Sequence, residues 1–66
     1  MKLTIILMAP GFDAARYPVE INASTEMTKA LLEAKSKYIQ DSNYQIELET
    51  ISHSIEIIGE ENENEL

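Results

Sequence analysis

The chain contains no cysteine and only two glycines and two prolines among its 66 residues. The absence of cysteine excludes disulfide bonds, thiolate zinc sites and thiol nucleophiles together. Gly11 and Gly59 lie too far apart in the sequence to build a glycine-rich phosphate-binding loop. No apolar run approaches the roughly 20 residues that a membrane-spanning helix requires. The fold must therefore rest on packing alone, and a membrane-embedded function is not expected.

Positive charge is missing from the second part of the chain. Residues 41–66 carry eight carboxylates and no Lys or Arg, whereas residues 1–40 carry four acids and five bases. The formal net charge of −7 therefore comes from −8 in the second part and +1 in the first. Such a split bears on partners and solubility rather than on fold. It argues against nucleic acid as a ligand and favours a basic protein surface.

The length predicts one small domain with a thin core. A chain of this size buries only about 60% of its unfolded surface, and the hydrophobic content of 44% is ordinary for a globular protein. We assign residues 1–59 to the domain and residues 60–66 to an acidic tail that remains solvated. The lysine and apolar run at the start resemble a signal peptide. Because that run is β-branched and stops at Pro10-Gly11, we interpret it as a strand and expect a cytoplasmic protein.

Two strands are predicted at the start of the chain. Residues 3–9 are almost uniformly apolar, as expected for a strand in the centre of a sheet. Residues 16–22 alternate between apolar and polar, which is typical of a half-buried strand. Pro18 has no amide proton to donate, so it suggests an edge position or a bulge. A short loop joins the two strands, and an antiparallel pair is the simplest arrangement.

A helix is predicted next. Ser24 or Thr25 is expected to cap it, with Glu26 in the first turn. Asn43 is a candidate for a left-handed residue beyond its end. The helix carries an apolar face at helical spacing, which Leu32 and Ile39 widen; the face consists of Met27, Ala30, Leu31, Ala34 and Tyr38.

The remainder reads as β structure with a change of phase. Residues 44–48 alternate with Ile46 and Leu48 on one face, whereas Ile51, Ile55 and Ile57 have the opposite parity. We favour two strands joined by a tight bend or a bulge over one unbroken strand. The predicted fold is α+β, with one helix on one face of a three- or four-stranded antiparallel or mixed sheet, in the order ββαβ or ββαββ.

No constellation in the sequence predicts catalysis. His53 stands between Ser52 and Ser54, but adjacent strand residues point to opposite faces, so neither serine reaches the imidazole. The acids of the tail lack the alternating pattern and central glycine of a calcium loop. Asn22-Ala23-Ser24 matches the glycosylation acceptor pattern, but the better interpretation of Ser24 is that it caps the helix. We therefore expect no enzyme activity, no metal and no cofactor.

The carboxylates themselves are the best candidate for a ligand. Spaced acids can occupy a basic groove that normally holds nucleic acid, or can be steered to a basic patch. Outward residues on one strand repeat every ~6.6 Å, about half the density of phosphates along a DNA strand, so a DNA mimic needs the tail as well. The predicted partner-binding residues are Glu47, Glu49 and Glu56 on strands, with Glu60, Glu61, Glu63 and Glu65 in the tail.

The leading function is thus a small acidic protein-binding module, an inhibitor that occupies a basic site on a larger nucleic-acid-handling enzyme. Its alternative is an adaptor or a homo-oligomer, such as a homodimer, that pairs through an exposed β edge. That edge would carry the isoleucines of the last β segment, which are Ile51, Ile55, Ile57 and Ile58. A solvated acidic face with no partner is the remaining interpretation.

Residues 17–31 read Tyr-Pro-Val-Glu-Ile-Asn-Ala-Ser-Thr-Glu-Met-Thr-Lys-Ala-Leu and are followed by Tyr38 and the segment 44–48. This succession of strand, cap, helix and strand resembles very small phage-encoded ββαβ host-takeover inhibitors, such as the T7 phage inhibitor of bacterial RNA polymerase. The resemblance covers about 35 residues of generic pattern. It implies binding to a basic channel of a host enzyme in the host cytoplasm, and it transfers no functional residue.

Overall fold

The computed structural model describes residues 1–58. Its three strands form one antiparallel sheet in the order β2-β1-β3. One helix completes an α+β domain of the ββαβ type, which confirms the predicted fold class. The elements in chain order are β1 (Lys2–Met8), β2 (Ala15–Glu20), a 3-10 turn (Ser24–Glu26), α1 (Met27–Asp41), a second 3-10 turn (Leu48–Thr50) and β3 (Ser52–Ile58).

Strand β1 is the central strand, as its apolar composition predicts. Leu3, Ile5 and Leu7 share one face of the sheet and have no exposed surface. Helix α1 packs against β1 and β2 on that face and contributes the buried Ala34 and Tyr38. The core is therefore a single layer of side chains between the sheet and the helix, in keeping with the small size of the chain.

Strand β2 alternates as predicted and lies at an edge of the sheet. The terminal amino group of Met1 donates to the carbonyl of Ile21 at 2.7 Å, and the N–H of Ile21 donates to the carbonyl of Met1 at 2.9 Å. Hydrogen-bonded and non-hydrogen-bonded pairs alternate along an antiparallel ladder, so Pro18, opposite Thr4, belongs to a non-hydrogen-bonded pair. Its nitrogen points away from β1. The missing amide proton of Pro18 therefore costs the sheet no hydrogen bond.

The start of the helix differs from the prediction. Neither Ser24 nor Thr25 caps it through a side chain; the chain instead makes a 3-10 turn and enters α1 at Met27. The carboxylate of Glu26 accepts a hydrogen bond from the backbone N–H of Asn22 at 3.0 Å. The Glu26 N–H donates to the carbonyl of Ala23 at 2.9 Å. The side chain of Glu26 thus accepts a hydrogen bond from a backbone N–H that precedes the helix, as the acid of a capping box does.

The end of the helix depends on Ser42. Its hydroxyl donates to the carbonyl of Ile39 at 2.7 Å and accepts from the N–H groups of Gln45 and Ile46 at 3.1 and 3.2 Å. Asn43 has the left-handed conformation that was predicted, with φ of 62°, and Tyr44 shares this value. Two consecutive left-handed residues reverse the chain sharply, so Ile46 turns back into the core.

The predicted strand at residues 44–48 is wrong. This segment contains no strand and ends in the second 3-10 turn. Its apolar alternation has another origin, because Ile46 is buried whereas Leu48 is 48% exposed. Ile51 returns to the core after the turn. The change of phase therefore marks a 3-10 turn between two buried isoleucines, and β3 is the only strand of residues 44–58.

Candidate protein-binding surface

The structure separates the acids that were predicted to share a strand surface. Glu47 and Glu49 are exposed and lie in the segment that forms the second 3-10 turn, on either side of Leu48. Their predicted strand location is wrong for the reason given above, since Tyr44 and Ser42 redirect the chain. The remaining predicted acids, Glu60, Glu61, Glu63 and Glu65, lie outside the described residues.

Glu56 is the one predicted acid on a strand, and it is already paired. Its Oε1 atom lies 2.7 Å from Nη2 of Arg16, with both side chains 61% exposed. Arg16 stands opposite Ile6 in the β1–β2 ladder and Glu56 opposite Thr4 in the β1–β3 ladder. The ion pair therefore crosses β1 diagonally on the face that lacks the helix. At this exposure it contributes about 1 kcal/mol or less, and it largely neutralises the only charge on β3.

Strand β3 presents apolar side chains to water. Every one of its residues is exposed, and Ile55, Ile57 and Ile58 are 37%, 61% and 47% exposed. Ile55 and Ile57 stand opposite Ile5 and Leu3, so they share the core face of the sheet beyond the strands that α1 covers. Exposed apolar side chains gathered on one element are typical of an interaction surface.

The outer edge of β3 also offers backbone hydrogen-bonding groups. The odd-numbered residues of β1, such as Leu3 and Ile5, form their backbone hydrogen bonds with β2. The even-numbered residues of β1 therefore form theirs with β3, where their partners also have even numbers. The N–H and C=O groups of His53, Ile55 and Ile57 consequently point outward. Within residues 1–58 no other strand pairs with this edge. β3 contains no proline, glycine or lysine of the kind that protects edge strands.

A second feature, which the sequence did not reveal, is a depression of about 240 Å³ beside a tyrosine pair. The rings of Tyr17 and Tyr38 meet edge to face, with centroids 6.3 Å apart and planes at 72°. The Tyr38 hydroxyl donates to the carbonyl of Asp13 at 2.7 Å, and the Tyr17 hydroxyl donates to the Asp41 carboxylate at 3.2 Å. In the sequence, Tyr17 and Tyr38 are recognisable only as members of two apolar faces, one on β2 and the other on α1. Nothing in the pattern indicates that the two rings meet.

Burial, followed by the hydrogen bond to Asp41 and the negative charge of that residue, raises the pKa of Tyr17 to about 12. Each of these effects disfavours the phenolate. Tyr17 is therefore a neutral hydrogen-bond donor at physiological pH. Its hydrogen bond to Asp41 joins β2 to the end of α1. We therefore interpret the tyrosine pair as a structural contact.

Other candidate chemistry remains dispersed. In β3 the side chain of His53 lies on the core face, because it stands opposite Leu7, while those of Ser52 and Ser54 lie on the other face. Among residues 1–58 no group of three or more His, Asp and Glu side chains is placed to hold a metal ion. Over the same residues, no helix has the length and apolar character needed to cross a bilayer.

No family model matches the sequence, and neither a curated protein nor a solved structure matches it. The resemblance to small phage-encoded inhibitors thus stays a prediction from the sequence pattern.

Proposed function

We propose that this chain is a small acidic module that binds a basic surface of a larger protein. The observation that carries the proposal is the excess of acids after residue 40, where the sequence has eight carboxylates and no Lys or Arg. Glu47 and Glu49 are exposed, Glu56 alone pairs with a base among the described residues, and no Lys or Arg follows Lys37 in the sequence. A field of one sign speeds encounter with a partner of the opposite sign and selects against acidic partners.

The more specific form of the proposal is an inhibitor that occupies a nucleic-acid-binding site of a larger enzyme. A basic groove that accepts phosphates also accepts carboxylates, and the chain supplies eight of them after residue 40. Among the carboxylates after residue 40 that lie within residues 1–58, only Glu56 is on a strand, and it is paired with Arg16. An acidic contact would therefore come from the 3-10 segment and from Glu60, Glu61, Glu63 and Glu65 rather than from a regular row of acids on the sheet.

The test of this function combines capture with competition. The tagged chain is used to capture proteins from its source cell, and the partner is then mixed with the chain at about 0.05 and 0.5 M salt. We expect affinity to fall steeply as salt rises, and a DNA oligonucleotide to displace the chain from the partner. Affinity indifferent to salt, or simultaneous binding of chain and oligonucleotide, contradicts the proposal.

A matched pair of double variants locates the contact. Glu47→Gln with Glu49→Gln removes two exposed charges from the 3-10 segment, and Glu20→Gln with Glu33→Gln removes two exposed charges from β2 and α1. Both variants change the net charge by the same amount. We expect the first pair to weaken binding at low salt by more than the second. Equal effects would mean that only the total charge matters.

A second candidate function is an adaptor or homo-oligomer that pairs through β3. The exposed isoleucines and free edge of that strand favour it. Sedimentation over a range of concentrations separates this candidate from the first. A tight dimer whose stability is unaffected by salt supports the homo-oligomer, and a monomer at all concentrations excludes it.

A further inference from the structure

We infer that the outer edge of β3 binds an extended segment of the partner as a fourth strand, and that this segment is apolar in its middle and basic at its ends. The inference rests on the proposed function, because it assumes the same basic partner. It adds the surface, the mode of recognition and the chemistry of the segment. Strand addition of this kind uses backbone hydrogen bonds for affinity and alternate side chains for specificity.

The backbone of β3 has hydrogen-bonding groups that point away from the sheet. His53, Ile55 and Ile57 direct their N–H and C=O groups away from β1, as derived from the register. An extended segment beside β3 would therefore exchange hydrogen bonds with these three residues. The opposite edge of the sheet is less suitable, because Pro18 offers no N–H there.

The side chains of β3 add an exposed apolar surface beside this edge. Ile55 and Ile57 lie on the face that carries the core, and both remain exposed because α1 packs over β1 and β2. Side chains directly opposite each other on neighbouring strands interact at short range. Apolar residues at alternate positions of the bound segment would cover these isoleucines. A segment with β-branched residues at those positions fits best.

The charges that flank β3 in the sequence favour a basic partner. Glu47 and Glu49 precede β3, and four further acids follow within eight residues of its end, while the charge of Glu56 on β3 is paired. The surface is thus apolar along the strand and acidic on both sides of it in the sequence. A second copy of the chain fits poorly, because its β3 is flanked in the sequence by the same acids and by no base.

Two short peptides test the inference. The basic probe is Lys-Lys-Thr-Val-Thr-Val-Thr-Val-Lys-Lys, and the control probe has Glu at the four lysine positions. Binding to the full chain is followed through its backbone amide resonances at about 0.05 and 0.5 M salt. We expect the basic probe to shift the amides of His53, Ile55 and Ile57 at low salt. No shift at millimolar probe, or shifts located on other elements, overturns the inference.

A pair of variants separates backbone recognition from side-chain recognition. Ile57→Ala and Ile57→Pro both remove the isoleucine, but only proline removes the outward N–H, at a position comparable to Pro18 in β2. We expect Ile57→Pro to bind the basic probe about five- to tenfold more weakly than Ile57→Ala, as the loss of one hydrogen bond implies. Equal affinity overturns strand addition. If Ile57→Pro does not fold, an amide-to-ester replacement at Ile57 in a synthetic chain provides the same comparison.

The outcomes for the inference and the proposed function are distinguishable. Equal binding of the basic and acidic probes at the β3 edge contradicts the basic partner, and with it the proposed function. Preference for the basic probe without any difference between Ile57→Pro and Ile57→Ala leaves the proposed function standing and rejects strand addition. Shifts of the β3 amides on concentrating the chain without a probe identify a second copy as the occupant and overturn the inference.

Discussion

Ile5 and Ile55 stand directly opposite each other in the β1–β3 ladder, yet Ile5 has no exposed surface and Ile55 is 37% exposed. The two side chains have the same chemistry and lie on the same face of the sheet. They differ because Ile5 lies on the central strand, over which α1 packs, whereas Ile55 lies on the edge strand β3. The short chain thus uses its one helix to complete a core over two strands. Within residues 1–58 the third strand retains exposed apolar side chains.

This contrast predicts different costs for one substitution. We expect Ile5→Ala to lower the free energy of unfolding by about 2–5 kcal/mol, because it opens a cavity in a fully packed core. Ile55→Ala should cost less, about 1–2 kcal/mol, because its side chain lies at the edge of the sheet and is partly exposed. Denaturant unfolding monitored by circular dichroism measures both. Equal losses would show that the helix, or another element, covers β3 in solution.

Ser42 is predicted to stabilise the chain more than its small side chain suggests. Ser42→Ala removes one hydrogen bond to Ile39 and two from the backbone amides of Gln45 and Ile46. We expect a loss of about 1–2 kcal/mol in the free energy of unfolding, because partly buried groups lose their partner. Ser36→Ala, at an exposed position of the same helix, is the matched control and should have little effect. Similar values for the two variants would contradict the described role of Ser42.

Tyr17 gives the stability a dependence on alkaline pH. Its pKa is raised from 10.0 to about 12 in the folded chain. The unfolded chain therefore loses this proton between pH 10 and pH 12 while the folded chain keeps it. The contribution of Tyr17 to stability is present in full below pH 10 and falls as the pH rises through this window.

The comparison of wild type with Tyr17→Phe isolates this effect from the titration of other groups. We expect the free energy of unfolding of wild type to fall more steeply than that of Tyr17→Phe as the pH rises above 10. Asp41→Asn should reduce the difference in slope, because it removes the carboxylate that accepts the hydrogen bond. Parallel curves for wild type and Tyr17→Phe would show that the pKa of Tyr17 is not raised by folding.

The sequence predicted those elements whose pattern arises from local geometry. The central position of β1, the alternation of β2 and the edge position of Pro18 all follow from periodicity and from a missing N–H. The left-handed Asn43 follows from its position after the helix. These features depend on neighbours in the chain, so a pattern of residues is enough to predict them.

Features that depend on particular side-chain hydrogen bonds or on the strand order were not accessible to the same reasoning. Ile46 and Leu48 alternate like strand residues, but Ser42 and the left-handed Tyr44 bend the chain into a 3-10 turn. The ion pair of Arg16 with Glu56 requires the strand order β2-β1-β3, which the sequence leaves open. The acids of the candidate surface could be identified from composition, whereas their separation onto a turn and a strand could not.

Amide hydrogen exchange on the isolated chain measures whether the outer edge of β3, with which no strand of residues 1–58 pairs, is open to water. We expect slow exchange at Ser54, Glu56 and Ile58, whose amides bond to β1, and fast exchange at Ile55 and Ile57. Equal protection of the odd- and even-numbered amides of β3 in a dilute, monomeric sample would contradict this expectation.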